Sequence, residues 1–358
     1  MFSSHRIILS TLQKSAFVLS VLPAMMASGE ITRTASGHPD LSGTYNAATL
    51  TPLVRPSAFG DNQYLTMEEA DEIAATERTL LEGRSLDSDP NREAPPDGGD
   101  GSRGAAGNVG GYNTFWIDRG SDAFSVDGRF RTSIIIDPKN GQMPPMTKEA
   151  QARRAKLFAN FRRENDGTAW WVGQDGPGPY DNMEQRGTAE RCLLGFTGAA
   201  PTFPSLYNNF KRIVQTEDHV MILIEMVHDA RVVRMNSEHL PVTMRKWLGD
   251  SIGWWEGDTL VVDTINFHPL AGRRGSSERN HVVERFTRTE DGDLLYRFTV
   301  EDEEVWTTPW TGEYLWRASG ERVYEYACHE GNHGLPGILA GWRRYESMGM
   351  NGDGTPKE

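Results

Sequence analysis

Alternating apolar and polar positions dominate the second half of the chain, from about residue 207 to 345. Short runs of this kind indicate strands, because successive side chains of a strand point to opposite faces of the sheet. Turn-forming sequences such as Glu256-Gly-Asp258 and Glu290-Asp-Gly-Asp293 separate the runs, which favours an antiparallel meander. The predicted strands are 211–216, 219–235, 252–256, 259–267, 281–288, 294–301, 303–308 and 321–328.

Closure into a barrel is the expected arrangement of this meander, because it removes the exposed hydrogen-bonding edges of the sheet. The segment Pro39–Tyr45 is predicted to open the barrel, since a glycine two residues before an aromatic begins many lipocalin-like barrels. The sequence has no βαβ rhythm and no glycine-rich phosphate loop after a strand. The predicted fold is therefore mainly β, with a lipocalin-like barrel or a strongly curved sheet.

Two helices are predicted outside the barrel. Thr66-Met-Glu-Glu69 is a capping box, and the helix after it is expected to run to about Leu81. Thr147 is predicted to cap a second helix that continues to about Arg163. Between the two helices, the residues from about 84 to 111 are rich in Gly, Asp and Pro and predict a flexible loop.

The N-terminus has the pattern of a secretory signal peptide. Arg6 and Lys14 precede the apolar run Ala16–Ala27, which is shorter than the roughly 20 residues needed to span a bilayer. We therefore expect residues 1–27 to be removed on export to the periplasm or the medium. The remaining residues, 28–358, are predicted to form a single β-rich domain.

The exported chain is strongly acidic. The formal net charge of −13 becomes −15 without the signal peptide, because that peptide contains two cationic residues and no acidic ones. Such a surface disfavours binding to nucleic acid or to anionic membranes. The expected partner is therefore a small-molecule substrate or ligand, and the oligomeric state is left open.

Cys192 and Cys328 are the only cysteines of the chain. In an oxidising compartment an even number of cysteines predicts a disulfide, although two buried free thiols are the alternative. A bond between them would bring Glu190 and Arg191 beside His329 and Glu330.

The densest group of polar residues is His329-Glu-Gly-Asn-His333, at the end of the last predicted strand. We predict an acid–base site here, with His329 and Glu330 as catalytic residues, because histidine exchanges protons near neutral pH. Asn332 is expected to hold the turn and contact the substrate. The alternative is a hydrogen-bonded polar network that caps the barrel without any chemistry.

The same residues match the H-E-x-x-H pattern of zinc peptidases. That pattern requires a helix, which aims both histidines at one ion. Gly331, Gly334 and Pro336 disfavour a continuous helix, so we predict that no metal is bound through His329 and His333. A metal-dependent hydrolase that uses these two histidines is the second alternative function.

The apolar run Met221–Val233 is the second candidate region. Read as one strand, it places Glu225, Asp229 and Arg231 on one face and His228 on the other. The polar face is either the lining of a site, with His228 and Asp229 as catalytic candidates, or a solvent-exposed surface of ion pairs. The substrate-binding candidates are Arg191, Arg231, Glu225, Asn332 and Trp255.

Tryptophans are frequent in the β-rich region, and most are expected in the core. One or two, with Trp255 as the candidate, are predicted to stack on a sugar ring or an aromatic ligand.

Several blocks of this region resemble a large group of exported bacterial proteins without an assigned activity. The blocks are Trp247–Phe267, Glu284–Arg288, Tyr324–Asn332, Met226–Arg231 and Asp137–Pro145. The resemblance covers most of residues 39–345 and implies export, but it implies no reaction.

Two classes of function remain open. The first is an exported β-barrel enzyme, a lyase, hydrolase or isomerase, that performs acid–base chemistry on a small organic or sugar substrate. The second is a periplasmic ligand-binding barrel without chemistry. Neither a cofactor nor a metal is predicted for them.

Overall fold

The structure is a computed structural model, which describes residues 31–86, 91, 116–159, 180–271 and 275–349. The predicted signal peptide and most of the predicted loop at 84–111 lie outside the described residues. No helix within the described ranges has the length and apolar character needed to cross a membrane.

Most of the described regular structure is β. The strands are β1 Gly43–Asn46, β2 Ser125–Val126, β3 Arg129–Phe130, β4 Ile135–Asp137, β5 Phe210–Gln215, β6 His219–Ile224, β7 Ala230–Met235, β8 Asp250–Glu256, β9 Thr259–Ile265, β10 His281–Arg288, β11 Leu294–Glu301 and β12 Trp310–Ser319. Nine of these described strands, β1 and β5 to β12, form a closed barrel, because β1 pairs with both β5 and β12. The prediction of a mainly β barrel is therefore confirmed.

One pair of neighbouring barrel strands is parallel. β7 and β8 run in the same direction, whereas the other barrel pairs are antiparallel. The connection of residues 236–249 must therefore cross the outside of the barrel before β8 begins. The barrel is mixed, which the meander pattern did not predict.

The predicted strand at 219–235 is wrong as a single strand. β6 ends at Ile224 and β7 begins at Ala230, so the chain reverses between them. Val227 and His228 have φ values of 59° and 47°, in the left-handed region that turns use. The sequence did not predict this turn, because Met226 and Val227 are apolar and no glycine or proline lies between Ile224 and Ala230.

The end of the barrel also differs from the prediction. The segment 303–308 forms a turn with one isolated bridge from Trp306 to Met146, and 321–328 is not a strand. The last strand is β12, which lies between the two predicted ones. The chain continues into the short helix α3, Cys328–Gly331, and the helix α4, Gly334–Ser347.

The two predicted helices are present. α1 spans Met67–Arg84, and both hydrogen bonds of the Thr66–Glu69 capping box are made. α2 spans Lys148–Ala159, and the Thr147 hydroxyl accepts a hydrogen bond from the Ala150 N–H. α4 was not predicted. Pro336 is compatible with this helix, because it lies in the first turn, where proline costs no helical hydrogen bond.

Aromatic side chains fill the interior of the barrel. Tyr296 lies 4.8 Å from Trp316 and 5.0 Å from Phe286, measured between ring centroids. A loop enters this core, because the Thr202 N–H donates to the Tyr296 hydroxyl and the Thr202 carbonyl accepts from the Tyr314 hydroxyl, both at 3.1 Å. The described interior is thus a packed core and not an open cup.

Candidate functional site

A buried ion pair crosses the barrel interior. The Arg231 guanidinium donates to both oxygens of Glu284, at 2.5 and 2.8 Å, and the Tyr296 hydroxyl donates to the same carboxylate at 2.6 Å. Burial raises the pKa of the Tyr296 hydroxyl well above its usual value, so it remains protonated and can donate. The partner of Arg231 is thus Glu284 on β10, which lies 53 positions further along the chain.

Asp229 holds a loop against the turn between β6 and β7. Its Oδ2 accepts a hydrogen bond of 2.7 Å from the Gly195 N–H, and the residue is buried. Gly198 packs so closely that an added Cβ would lie 1.9 Å from the same oxygen. The alternative of a solvent-exposed face is wrong for Glu225, Asp229 and Arg231, because all three are buried.

A cleft of about 1030 Å³ lies beside this turn, outside the barrel core. Its walls are the segment before β5, the turn after β6, the region of the disulfide and the chain between β12 and α3. The polar and aromatic lining residues are Glu190, Glu225, Glu325, Asn208, Asn332, Trp116, Tyr207, Tyr324 and Tyr326. Among the described residues that line the cleft there is no lysine or arginine.

Glu225 is a buried carboxyl group in the wall of the cleft. It is 8% exposed, and its Oε2 accepts a hydrogen bond of 3.2 Å from the Phe210 N–H. Burial raises the pKa of Glu225, while the bonds from Phe210 and Asn208 oppose that change without cancelling it. A carboxyl group with a raised pKa holds its proton closer to neutral pH and can serve as a general acid.

The disulfide fixes one side of the cleft. Cys192 and Cys328 are bonded, with their Cα atoms 5.7 Å apart, so the predicted disulfide is confirmed. The Asn332 amide donates to the Glu190 carbonyl at 2.7 Å, and its oxygen accepts from the Leu335 N–H at 3.3 Å. Asn332 therefore joins the disulfide region to the beginning of α4.

The structure brings two of the predicted site residues, Glu225 and Asn332, into the lining of the cleft. His329 and Glu330 are exposed on α3 and are not among the lining residues. His228 is exposed too, with its Nδ1 3.2 Å from the carbonyl oxygen of Tyr326.

The remaining predicted residues lie elsewhere. Arg191 is partly buried next to the disulfide but does not line the cleft. Trp255 stacks on His38, with 4.6 Å between the ring centroids.

His329 and His333 do not share a helix. α3 ends at Gly331, and His333 lies between α3 and α4. In the portion of the chain that the structure describes, no three or more His, Cys, Asp or Glu side chains are arranged to hold a metal ion.

A hydrogen-bonded row of carboxylates and imidazoles, from the buried Asp250 to the exposed Glu301, was not predicted from the sequence. The two nitrogens of His239 lie 3.1 Å from Asp250 and 2.9 Å from Asp263. The two nitrogens of His281 lie 2.9 Å from Asp263 and 3.0 Å from Glu301. No local spacing in the sequence indicates this row of side chains, because strand register and the crossover connection bring its residues together.

No protein-family model matches this chain, and no curated protein matches it. The resemblance to exported bacterial proteins therefore remains a prediction.

Proposed function

We propose that the protein is an exported enzyme that performs acid–base chemistry on a small, uncharged or sugar-like substrate in the cleft beside the disulfide. Glu225 is the proton donor and acceptor. The observation that carries the proposal is the buried Glu225 carboxyl, with its raised pKa, in the wall of a cleft of about 1030 Å³. That volume suits a small organic molecule or a short saccharide.

The charge of the lining supports an uncharged substrate. Three acidic side chains and no described lysine or arginine line the cleft, which offers no cationic partner to an anionic substrate. Glu190 is paired with Arg186 at 2.6 Å, which leaves Glu225 and Glu325 as the acidic groups that face a ligand.

The aromatic side chains supply the complementary contacts. Tyr207, Tyr324, Tyr326 and Trp116 present ring faces and polar edges, which suit the apolar faces and hydroxyl groups of a sugar ring. The amides of Asn208 and Asn332 can orient such hydroxyls. In this arrangement Glu225 donates a proton to a leaving oxygen or to a carbonyl and recovers it in the second half of the reaction, as hydrolysis, elimination or isomerisation requires.

A ligand-binding protein without chemistry is the second candidate. The observation that favours it is that no second titratable side chain is hydrogen-bonded to Glu225 among the described contacts. The cleft would then select the same ligands, with Glu225 serving only as a hydrogen-bonding group.

The test compares the wild-type protein with Glu225→Gln, which keeps the shape but cannot exchange a proton. The control is Glu217→Gln, since Glu217 is exposed in the β5–β6 turn, away from the cleft. Turnover is followed with chromogenic glycosides and with unlabelled monosaccharides in D₂O, and binding is followed by ligand-observed NMR. We expect Glu225→Gln to lose turnover by about 100-fold or more while binding is retained.

Two results would overturn the enzymatic proposal. Equal turnover in Glu225→Gln and wild type would show that Glu225 takes no part in the reaction. Binding of a saccharide by both proteins, without turnover or deuterium exchange in either, would favour the ligand-binding alternative.

A further inference from the structure

A second cavity, of about 920 Å³, lies between α1 and the loop segments 49–53 and 203–206. α1 has 18 residues, yet Ala70 and Glu77 are its buried ones, so the helix is loosely packed. The apolar walls of the cavity include Leu50, Phe59, Ile73 and Phe203. The charged residues of the lining are Glu69, Glu72, Glu77 and Arg119, and Glu77 is the buried one among them.

Glu77 and Arg119 lack the hydrogen bonds that such groups normally make. Glu77 is 9% exposed, and within the described residues its Oε1 has no hydrogen-bond partner. Its Oε2 lies 3.9 Å from Nη1 of Arg119, which is too long for a hydrogen bond. The Nε of Arg119 is buried and has no partner within the same described part of the chain. Because roughly 90% or more of buried polar groups are paired, this open acceptor and open donor point to a missing group.

We infer that the α1 cavity binds a small apolar alcohol, whose hydroxyl group bridges Glu77 and Arg119. The hydroxyl oxygen donates to the open Oε1 of Glu77 and accepts from the open Nε of Arg119. The two side chains are near enough for one such group to reach both, since Oε2 of Glu77 and Nη1 of Arg119 lie 3.9 Å apart. A hydroxyl donates to the carboxylate and accepts from the guanidinium at the same time, which neither an ammonium nor a carboxylate can do. The apolar walls receive the hydrocarbon body of the alcohol.

This site is separate from the cleft of Glu225. The two cavities share one lining residue, Leu206, and no titratable group. The inference therefore does not rest on the proposed acid–base function and holds or fails without it.

Three probes of one shape test the inference by isothermal titration calorimetry on the full chain. They are cyclohexanol, cyclohexylamine and cyclohexanecarboxylate, which differ only in the polar group. We expect cyclohexanol to bind at least tenfold more tightly than either charged probe at neutral pH. Equal affinities for the three probes would contradict the bridging hydroxyl.

Variants locate the binding. Glu77→Leu removes the acceptor, and Ile73→Trp places a bulky ring in the cavity wall one helical turn before Glu77, so each is expected to weaken cyclohexanol binding at least tenfold. Glu82→Leu is the control, because Glu82 is exposed on the same helix and lies outside the cavity lining. Arg119→Met serves as the second polar variant if Glu77→Leu does not fold.

The inference is overturned if cyclohexanol binds Glu77→Leu, Arg119→Met and Ile73→Trp as tightly as wild type. It is also overturned if cyclohexanol does not bind to the wild-type protein, since the cavity then holds water only.

Discussion

Asp250 is expected to be a major source of the acid sensitivity of this fold. Its buried carboxylate accepts hydrogen bonds from Arg234 and Lys246, at 2.8 and 2.9 Å, and from the Leu240 N–H at 2.9 Å. Burial acts to raise its pKa, but these partners and His239 outweigh burial and lower the pKa of Asp250 to about 2. The carboxylate therefore connects the crossover between β7 and β8 to the barrel wall.

The contribution of Asp250 to the free energy of unfolding follows from the difference between its pKa in the folded state and in the unfolded state. A pKa that falls from 3.8 to about 2 corresponds to about 2 kcal/mol of stability at neutral pH. The sign is fixed because the pKa is lower in the folded state. This stability is fully present above the unfolded pKa of 3.8 and is lost as the pH falls through about 2.

The assay is urea unfolding of the wild-type protein and of Asp250→Asn at several values between pH 6 and pH 2. We expect the wild-type free energy of unfolding to fall by about 2 kcal/mol more than that of the variant over this range. Asp218→Asn, in an exposed turn, is the control and should follow the wild type. Parallel curves for wild type and Asp250→Asn would refute the reasoning.

Three further predictions concern other parts of the fold. Reduction of the disulfide, which links positions 136 residues apart, should lower the free energy of unfolding by about 5 kcal/mol, as urea titration with and without reductant will measure. The hydrogen bond to Asp263 raises the pKa of His281, so an NMR titration should give a His281 pKa above 6.5 in the wild type and a lower one in Asp263→Asn. The stability that this interaction contributes should disappear as the pH rises through the pKa of His281 in the folded state. Gly198→Ala should destabilise the protein by about 1–3 kcal/mol, because the new Cβ overlaps a buried carboxylate, whereas Gly320→Ala meets no atom within 4 Å and should be neutral in thermal unfolding.

Features that depend on neighbouring residues could be predicted from the sequence. The capping box of α1 needs only Thr66 and Glu69, three positions apart, and the strands β9 to β11 show regular alternation between polar turns. The reversal at 225–229 was missed because it contains no glycine, proline or asparagine, the residues that most often mark a turn. Local pattern therefore predicted the barrel but not the position of every turn.

Only part of the candidate site was predicted from the sequence, because its residues are brought together by the folded chain and not by local pattern. Glu225 and Asn332 stood out by residue type, yet only the disulfide and the folded chain show that they line one cleft. The ion pair of Arg231 with Glu284 joins residues 53 positions apart, and barrel closure, which no local spacing encodes, creates it. His329 and Glu330 stood out by their density of polar groups, but a density in sequence does not determine whether a side chain faces a cavity.

The closure of the barrel by β1 and β12 also constrains the order of assembly. Tyr45 pairs with Ala318, so the contact joins positions about 270 residues apart. A chain that is synthesised from its N-terminus cannot close the barrel until β12 has been made, because no other described strand completes the ring. Before β12 is in place, β1 and β11 each have one unpaired edge, because β12 is the partner of both. Unpaired edges of this kind can pair with strands of other chains. Dilution, or a factor that shields these edges, would therefore favour the monomeric barrel over aggregates during synthesis.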